Sequence, residues 1–237
     1  MPSKIIALND INAGYGKFQV LFRVSMAADD KEITVIVGPN GSGKSTLLRT
    51  IFGLTSIYSG EVIFKNINIT SKKPHEIAKL GIAYLPQLEN VFLNLTVKEN
   101  ILLATYIHEG ETMDIEEAIG LFPQLRALFE RKASTLSGGE RQMLAMTMAL
   151  LRKPSLMLLD EPTANMAPKI AKLLFEKIIE LKENYNIPVI LVEQNAKKAL
   201  EIGDKAYLLV AGRKIFEGLP QELLEKPDLT KVYLGID

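Results

Sequence analysis

A nine-residue segment, GPNGSGKST (residues 38–46), limits the possible folds more than any other part of the chain. It follows the apolar run ITVIV and precedes the apolar pattern LLRTIFGL, which indicates a strand, a glycine-rich turn and a helix in that order. Glycines allow the backbone to wrap around phosphate oxygens, and the first turn of the helix directs unpaired N–H groups toward them. The segment therefore predicts a phosphate-binding loop at the end of a buried strand.

Two side chains of this loop have predicted tasks. Lys44 should reach the β- and γ-phosphates of a nucleoside triphosphate, and the Ser45 hydroxyl should bind Mg²⁺. An exposed glycine-rich turn is the alternative interpretation, but the strand and helix patterns on either side argue against it. The residues predicted to contact the nucleotide are Gly38, Pro39, Asn40, Gly41, Ser42, Gly43, Lys44, Ser45 and Thr46.

A second apolar run, LMLLDEP (residues 156–162), contains two adjacent carboxylates near its end. In parallel sheets the carboxyl ends of neighbouring strands meet at one edge, so Asp160 and Glu161 should lie beside the loop. Asp160 is predicted to hold Mg²⁺ through water, and Glu161 to polarise the attacking water. Without the loop, the same pair could be a solvated strand end or a helix N-cap. No Asn-Lys-x-Asp motif of the kind that reads guanine is present, which disfavours a GTPase.

The rest of the chain predicts an α/β fold. Short β-branched runs alternate with helical patterns, as expected for a mostly parallel sheet covered by helices. Residues 5–30 alternate apolar and polar side chains, and residues 60–69 have a hairpin pattern, so an N-terminal antiparallel β-layer is predicted. From about 88 to 153 helical patterns, including one at 124–132, predict an inserted helical subdomain within a single domain spanning 1–237. The predicted core strands are 31–38, 81–86, 155–160, 187–193 and 205–210.

The composition argues against several other classes. The 28 basic and 28 acidic residues cancel, so no net charge draws the chain toward nucleic acid or anionic lipid. No apolar stretch approaches the ~20 residues that a membrane-spanning helix requires. The chain has no cysteine, which removes disulfides and thiolate sites. Cytosol is the expected compartment, and no nucleic-acid partner is expected.

A third motif, TLSGGERQ (residues 135–142), points to one family. Ser137, Gly138 and Gly139 lie at the start of a predicted helix, where their N–H groups form a second anion site. With the phosphate loop and the carboxylate pair, in this order, the motif makes the whole chain resemble the nucleotide-binding subunit of an ATP-binding cassette (ABC) transporter. The resemblance implies a P-loop NTPase (RecA-like) fold and ATP hydrolysis. It also implies a head-to-tail dimer in which this signature contacts the ATP bound to the other subunit.

Further positions match the family residue by residue. Tyr15 stands where the family has an aromatic residue that stacks on adenine, although it could be an ordinary tyrosine of the β-layer. Gln87 resembles the family's glutamine that touches Mg²⁺ and the lytic water, and a turn residue is the alternative. Residues 88–101 resemble the surface that receives a permease, while Phe92 and its apolar neighbours could equally be core.

Two departures narrow the resemblance. Residues 163–168, TANMAP, lack the aspartate that many members carry, and Gln194 stands where many have a histidine. Both departures, with VEQNA and the ending VYLGID, resemble the ATPase subunits for uptake of branched-chain and other hydrophobic amino acids. Gln194 is expected to hydrogen-bond the γ-phosphate, and it has no proton that titrates near neutral pH. That group often has glutamate near Gln87, so lipopolysaccharide-export ATPases remain an alternative, although they usually keep the histidine.

The resemblance also implies partners. These are integral membrane permease subunits, a second ATP-binding subunit and an extracytoplasmic solute-binding protein, with the chain on the cytoplasmic face of the cell membrane. A soluble ABC ATPase acting on nucleic acid should show tandem cassettes, a coiled-coil insertion or a basic stripe, and the sequence has none of these. A scaffold that binds ATP without hydrolysing it would need a broken catalytic carboxylate, and Glu161 is present.

Overall fold

The computed structural model describes residues 3–87, 90–106 and 112–235. The strands are β1 (Lys4–Tyr15), β2 (Phe18–Asp29), β3 (Ile33–Val37), β4 (Ser56–Phe64), β5 (Ile67–Asn68), β6 (Ile82–Leu85), β7 (Leu156–Asp160), β8 (Val189–Val192), β9 (Lys205–Val210) and β10 (Arg213–Gly218). The α-helices are α1 (Lys44–Ile51), α2 (Pro74–Lys79), α3 (Val97–Tyr106), α4 (Ile115–Gly120), α5 (Gly138–Leu151), α6 (Pro168–Glu183), α7 (Ala196–Ile202), α8 (Pro220–Leu224) and α9 (Pro227–Leu229).

The larger sheet is the predicted α/β core. Its strand order is β10-β9-β3-β8-β7-β6, and the neighbours from β9 to β6 are parallel. Every residue of β3, β7 and β8 is buried, as expected for parallel strands covered on both faces. The five predicted core strands are confirmed, and the fold is α/β. The sequence prediction missed β10, an edge strand that pairs antiparallel to β9.

A second, antiparallel sheet has the order β2-β1-β4-β5. It confirms the predicted N-terminal β-layer, and the predicted hairpin at 60–69 corresponds to β4 and β5. The layer lies over the face of the core sheet that carries α1, because Leu8 and Ile11 of β1 share one hydrophobic cluster with Leu48 and Leu158. The helix that follows the phosphate loop is therefore held between two sheets.

The opposite face of the core sheet is covered by helices. Alternate residues of β7 point to opposite sides, so Met157 and Leu159 belong to a second cluster that includes α5 and α6. Burying such aliphatic side chains fully contributes about 1.5–3 kcal/mol each. The two clusters together fix β7, and the carboxylates at its end, in the middle of the molecule.

Between β6 and β7 the described residues are mostly helical. Helices α3, α4 and α5 occur there, and a single isolated β-bridge joins Thr96 to Lys132. The predicted helix at 124–132 is wrong in type, because Pro123–Leu128 forms a 3₁₀-helix. The chain must turn back there, since the carbonyl oxygens of Phe129 and Arg131 accept from the first turn of α3. The extent of the domain and of its helical insertion stays a prediction.

Candidate functional site

The phosphate-binding loop lies between the carboxyl end of β3 and the start of α1. A Cβ atom at Gly38 would overlap the carbonyl oxygen of Leu209, so only glycine fits where the loop passes β9. Gly43, the last residue before α1, has a left-handed φ of 99°. These two positions let the backbone curl back on itself and begin the helix directly at Lys44.

Lys44 is buried and folded over its own loop. Its Nζ donates hydrogen bonds to the carbonyl oxygens of Gly38 and Pro39, at 2.9 and 3.1 Å. Burial lowers the pKa of Lys44, and the negative charges of Glu161, Asp160 and Glu193 oppose that effect. The ammonium group therefore lies close enough to the carboxylates at the ends of β7 and β8 to interact with their charges.

Asp160, the last residue of β7, is held at both carboxylate oxygens. Ser45 Oγ donates to Oδ1 at 2.7 Å, and the Tyr84 hydroxyl donates to Oδ2 at 3.0 Å. Asp160 is only 2% exposed, so these protein donors replace water around its charge. Burial raises the pKa of Tyr84 to about 12, which keeps its hydroxyl protonated as a donor.

Glu161 adopts a backbone conformation that is uncommon for a residue with a side chain. Its φ is 48°, and its N–H donates to the Val192 carbonyl of β8 at 2.9 Å. A left-handed conformation costs about 1–2 kcal/mol outside glycine and is held by the surrounding structure. The Glu161 carboxylate accepts a hydrogen bond from Gln87 Nε2 at 3.1 Å. The chain therefore turns sharply after Asp160, and Glu161 meets Gln87.

These side chains surround one pocket of about 430 Å³. The lining residues are Val20, Asn40, Gly41, Ser42, Gly43, Lys44, Ser45, Thr46, Gln87, Glu161 and Gln194. The Ser42 hydroxyl is buried and has no hydrogen-bond partner among the described residues, as expected if a phosphate oxygen is its acceptor. The polar, glycine-rich lining also fits a magnesium nucleotide, since hydroxyl, amide and carboxylate oxygens are the ligands that Mg²⁺ prefers.

Most of the sequence-predicted residues meet at this pocket. Gly38 and Pro39 lie directly before it, and Asp160 lies behind Ser45. Tyr15 is 41% exposed at the end of β1, and its hydroxyl accepts a hydrogen bond from Arg49 Nη1 at 3.3 Å. Arg49 Nε also approaches the Tyr84 hydroxyl at 3.5 Å. A series of hydrogen bonds therefore connects Tyr15 to Asp160 through Arg49 of α1 and Tyr84.

The signature lies elsewhere on the chain. Ser137 caps α5, with its N–H donating to Glu140 Oε2 at 2.7 Å and its hydroxyl accepting from the Glu140 N–H. This backbone hydrogen bond lowers the pKa of the Glu140 carboxyl. Ser137 and Gly138 are exposed, whereas Gly139 packs against Ile170 of α6. Among the described residues, the signature contributes none of the lining of the pocket around Lys44.

Sequence reasoning missed three residues that organise the site. Tyr84 and Arg49 are the first two. The third is Glu193, which is 1% exposed and accepts from both the N–H and the hydroxyl of Thr163, at 3.0 and 2.8 Å. Burial raises the pKa of Glu193. An acid at the end of the apolar run IPVILVE was the available signal, because a buried carboxylate needs a specific partner.

Comparison with known proteins gives the family of this arrangement. The family model described as "ABC transporter" matches residues 21–164, more than half of the chain. The chain belongs to the ABC transporter family. As a member of that family it is an ATPase, and its α/β sheet is the P-loop NTPase fold of the ABC cassettes. Among the described residues, no helix of this ABC cassette combines the length and the apolar character needed to cross a bilayer.

Two relatives and one solved structure cover almost the whole ABC cassette. The probable branched-chain amino acid transport ATP-binding protein LivF of Archaeoglobus fulgidus is 52% identical, covering 95% of this chain and 97% of that protein. The lipopolysaccharide export system ATP-binding protein LptB of Acidithiobacillus ferridurans is 32% identical, covering 98% of each. The ADP conformation of MJ1267, an ATP-binding cassette of an ABC transporter, superposes with a TM-score of 0.82 at 30% identity, covering 97% of this chain and 98% of that one.

Proposed function

We propose that this ABC cassette hydrolyses Mg²⁺-bound ATP between two ATP-binding subunits and thereby drives a membrane permease for branched-chain or other hydrophobic amino acids. The observation that carries the solute assignment is the 52% identity, over 95% of the chain, to a protein named for branched-chain amino acid transport. The lipopolysaccharide-export relative is less similar, at 32% identity. A soluble, non-transport ATPase has no comparable support.

Three residues would hold the magnesium ion. These are Ser45, Asp160 and Gln87. Ser45 and Gln87 line the pocket, and Asp160 lies behind Ser45 and accepts its hydroxyl hydrogen bond, so Asp160 would hold the ion through water. Among the described residues no cluster of three or more Asp, Glu, His or Cys side chains could hold an ion alone. Such a sparse ligand set suits an ion that keeps several waters and phosphate oxygens. When bound, Mg²⁺ neutralises charge on the β- and γ-phosphates.

Hydrolysis needs a base, a cation and donors around the γ-phosphate. We assign Glu161 to orient and deprotonate the attacking water, with Gln87 holding its carboxylate at 3.1 Å. Lys44 contacts the β- and γ-phosphates and stabilises the charge that develops on the transferred group. The exposed Gln194 lines the same pocket and donates its amide N–H to the γ-phosphate.

The second anion site acts on the partner's nucleotide. Ser137 and Gly138 are exposed at the N-terminus of the 14-residue helix α5, and they do not line their own chain's pocket. We therefore assign Ser137, Gly138 and Gly139 to the γ-phosphate of ATP bound by the other subunit. Tyr15, half-exposed beside α1, stacks on the adenine ring. The working unit is a head-to-tail dimer, formed with a second copy or a sister ATPase.

The permease is proposed to dock beside the helical region. A groove of about 250 Å³ lies there, lined by residues of β6, α3 and α5 among others, and it is hereafter called the docking groove. Its lining residues are Phe52, Ile82, Ala83, Tyr84, Leu85, Asn90, Phe92, Ala104, Ala145, Met148, Ala149 and Arg152. Phe92 and Leu93 are 50% and 47% exposed, so they offer apolar surface rather than core. Residues 88 and 89 of the predicted docking segment lie outside the described residues.

Docking of this kind places the chain on the cytoplasmic face of the membrane. In an importer, an extracytoplasmic solute-binding protein would deliver the solute to the permease. The test is to copurify the membrane subunits with this chain, reconstitute them in vesicles, and measure ATP-dependent uptake of leucine, lysine and glutamate. Uptake of leucine alone is expected. Copurification with lipopolysaccharide-export subunits, or leucine uptake independent of ATP, would overturn the proposal.

A further inference from the structure

Tyr84 of β6 belongs to two environments at once. Its hydroxyl donates to Asp160 Oδ2 at 3.0 Å, and its ring lines the docking groove. In that groove the ring packs against Phe52, with centroids 5.5 Å apart and the planes tilted by 39°. A single side chain therefore connects the apolar surface of the groove with a buried carboxylate.

The hydrogen bond from Tyr84 is one of two that hold the Asp160 carboxylate. Asp160 has two protein donors, Ser45 on Oδ1 and Tyr84 on Oδ2, and it is almost fully shielded from solvent. Ser45 is itself a proposed magnesium ligand, so its hydroxyl serves the ion as well as the carboxylate. Tyr84, in contrast to Ser45, is not a proposed ligand of the magnesium ion. It can hold Asp160 without competing for the ion.

The rigid ring makes this contact sensitive to the groove. The hydroxyl oxygen lies at the end of a planar side chain, so a displacement of the ring moves the oxygen by a similar amount. A shift of about 0.5 Å away from Asp160 would stretch the bond from 3.0 Å to about 3.5 Å, the outer limit of a hydrogen bond. A change of packing around Phe52 that moved the ring by this distance would remove one of the two hydrogen bonds that hold Asp160.

We propose that Tyr84 is a positioning residue that fixes Asp160 for Mg²⁺, and that it passes changes in the docking groove to the metal site. The proposal rests on the assignment of Asp160 as a magnesium-holding residue. Gln87 reaches the same site from the same strand end, but through Glu161 and the pocket edge. Tyr84 lines the groove and contacts the metal carboxylate, whereas Gln87 does not line the groove and contacts the base.

The experiment measures binding of a fluorescent N-methylanthraniloyl ATP while Mg²⁺ is titrated. Tyr84→Phe keeps the ring and removes the hydroxyl, and we expect half-maximal binding to need about tenfold more Mg²⁺. Nucleotide affinity in EDTA should not change. Tyr207→Phe is the matched control, because it removes a buried tyrosine hydroxyl from β9 that bonds Ala27 and Glu217, away from the pocket. Unchanged Mg²⁺ dependence in Tyr84→Phe would overturn the proposal.

A double-mutant cycle tests the connection to the groove. Phe52→Leu removes the ring that packs on Tyr84 and leaves the Tyr84 hydroxyl in place. We expect half-maximal nucleotide binding to need about threefold more Mg²⁺ in this variant. In the Tyr84→Phe background the same change should add nothing, since the hydroxyl that transmits it is gone. Additive effects of the two substitutions would exclude transmission through Tyr84. Thermal melting of each variant confirms that the folded protein is being compared.

Asp160→Asn separates this inference from the proposed function. If Asp160→Asn leaves the Mg²⁺ dependence of nucleotide binding unchanged, the proposed role of Asp160 fails. If Asp160→Asn abolishes that dependence while Tyr84→Phe behaves as wild type, only the role of Tyr84 fails.

Discussion

Gly138→Ala tests whether the signature works on a partner subunit. A Cβ atom at Gly138 meets nothing within 4 Å in its own chain. Gly138 is the first residue of α5 and has helical backbone geometry, so alanine is compatible with the fold. Replacing glycine by alanine at such a position stabilises a protein by about 0.4–1 kcal/mol. The isolated variant should therefore fold at least as well as wild type.

The same methyl group should obstruct a closed dimer. The added methyl group lies at the exposed start of α5, on the surface that is proposed to contact the partner's nucleotide. Inserting one carbon into a packed contact costs about 1–3 kcal/mol, which is a 5- to 150-fold loss in dimer formation and ATPase rate. The assays are steady-state ATPase activity, ATP affinity of the monomer, and ATP-induced dimerisation by size-exclusion chromatography. Activity should fall while monomer affinity and melting temperature do not.

Two glycines serve as controls. Gly120, the last residue of α4, also has open space around it, so Gly120→Ala should raise stability slightly, as Gly138→Ala should, and leave activity unchanged. Gly139 is the opposite case, because a Cβ atom there would lie 2.6 Å from Ile170 Cγ2, and Gly139→Ala should lower the melting temperature. Wild-type activity and dimerisation in Gly138→Ala would refute the assignment of the signature to a partner's nucleotide.

Three further predictions concern charge and proton transfer at the pocket. Glu161→Gln should retain ATP, trap the dimer and lower the turnover number about 10²–10⁴-fold, because the amide cannot accept a proton from water; wild-type turnover would remove Glu161 from that role. Gln194→His should introduce an inflection near pH 6.5 in the ATPase profile, whereas the wild type should show none from this position between pH 6 and 8; identical profiles would contradict the contact of residue 194 with phosphate. Glu193 has a raised pKa, so the stability it contributes is complete below its ordinary pKa of 4.5 and is lost as pH rises through the folded-state value. Glu193→Gln should therefore gain stability over wild type as the pH of urea denaturation rises from 5 to 8, and a pH-independent difference would disprove the linkage.

The sequence predicted the main elements because each has a strong local signal. β3, β7 and β8 are continuous apolar runs, and a parallel strand buried on both faces requires such a pattern. The edge strand β10 was missed because its alternation is broken by Lys214 and its register shifts between Lys214 and Phe216. The predicted helix at 124–132 was wrong because the residues after the 3₁₀-helix, Phe129 and Arg131, bond through their carbonyls to α3, and no local pattern encodes those bonds.

The residues that line the pocket were predicted more completely than the residues behind them that hold the lining in place. The glycines, Lys44 and the carboxylate pair have fixed spacing along the chain, and that spacing follows from the turn and strand that hold them. Tyr84 and Arg49 are ordinary residues of a strand and a helix until the fold brings Tyr84 to Asp160 and Arg49 to Tyr84. Their roles depend on which strands are neighbours, and the order β8-β7-β6 is a tertiary property.

The hydrogen bonds of Lys44 to its own loop affect how fast and how selectively the pocket can receive an anion. Ordering a free lysine side chain costs up to about 2 kcal/mol, and here the carbonyls of Gly38 and Pro39 have already ordered it. An incoming phosphate exchanges bonds with a cation that is fixed in place, so little rearrangement separates encounter from capture. Lys44 therefore stabilises the conformation of the loop and also supplies its positive charge. Removing Lys44 would loosen the phosphate-binding loop for every ligand, including uncharged ones.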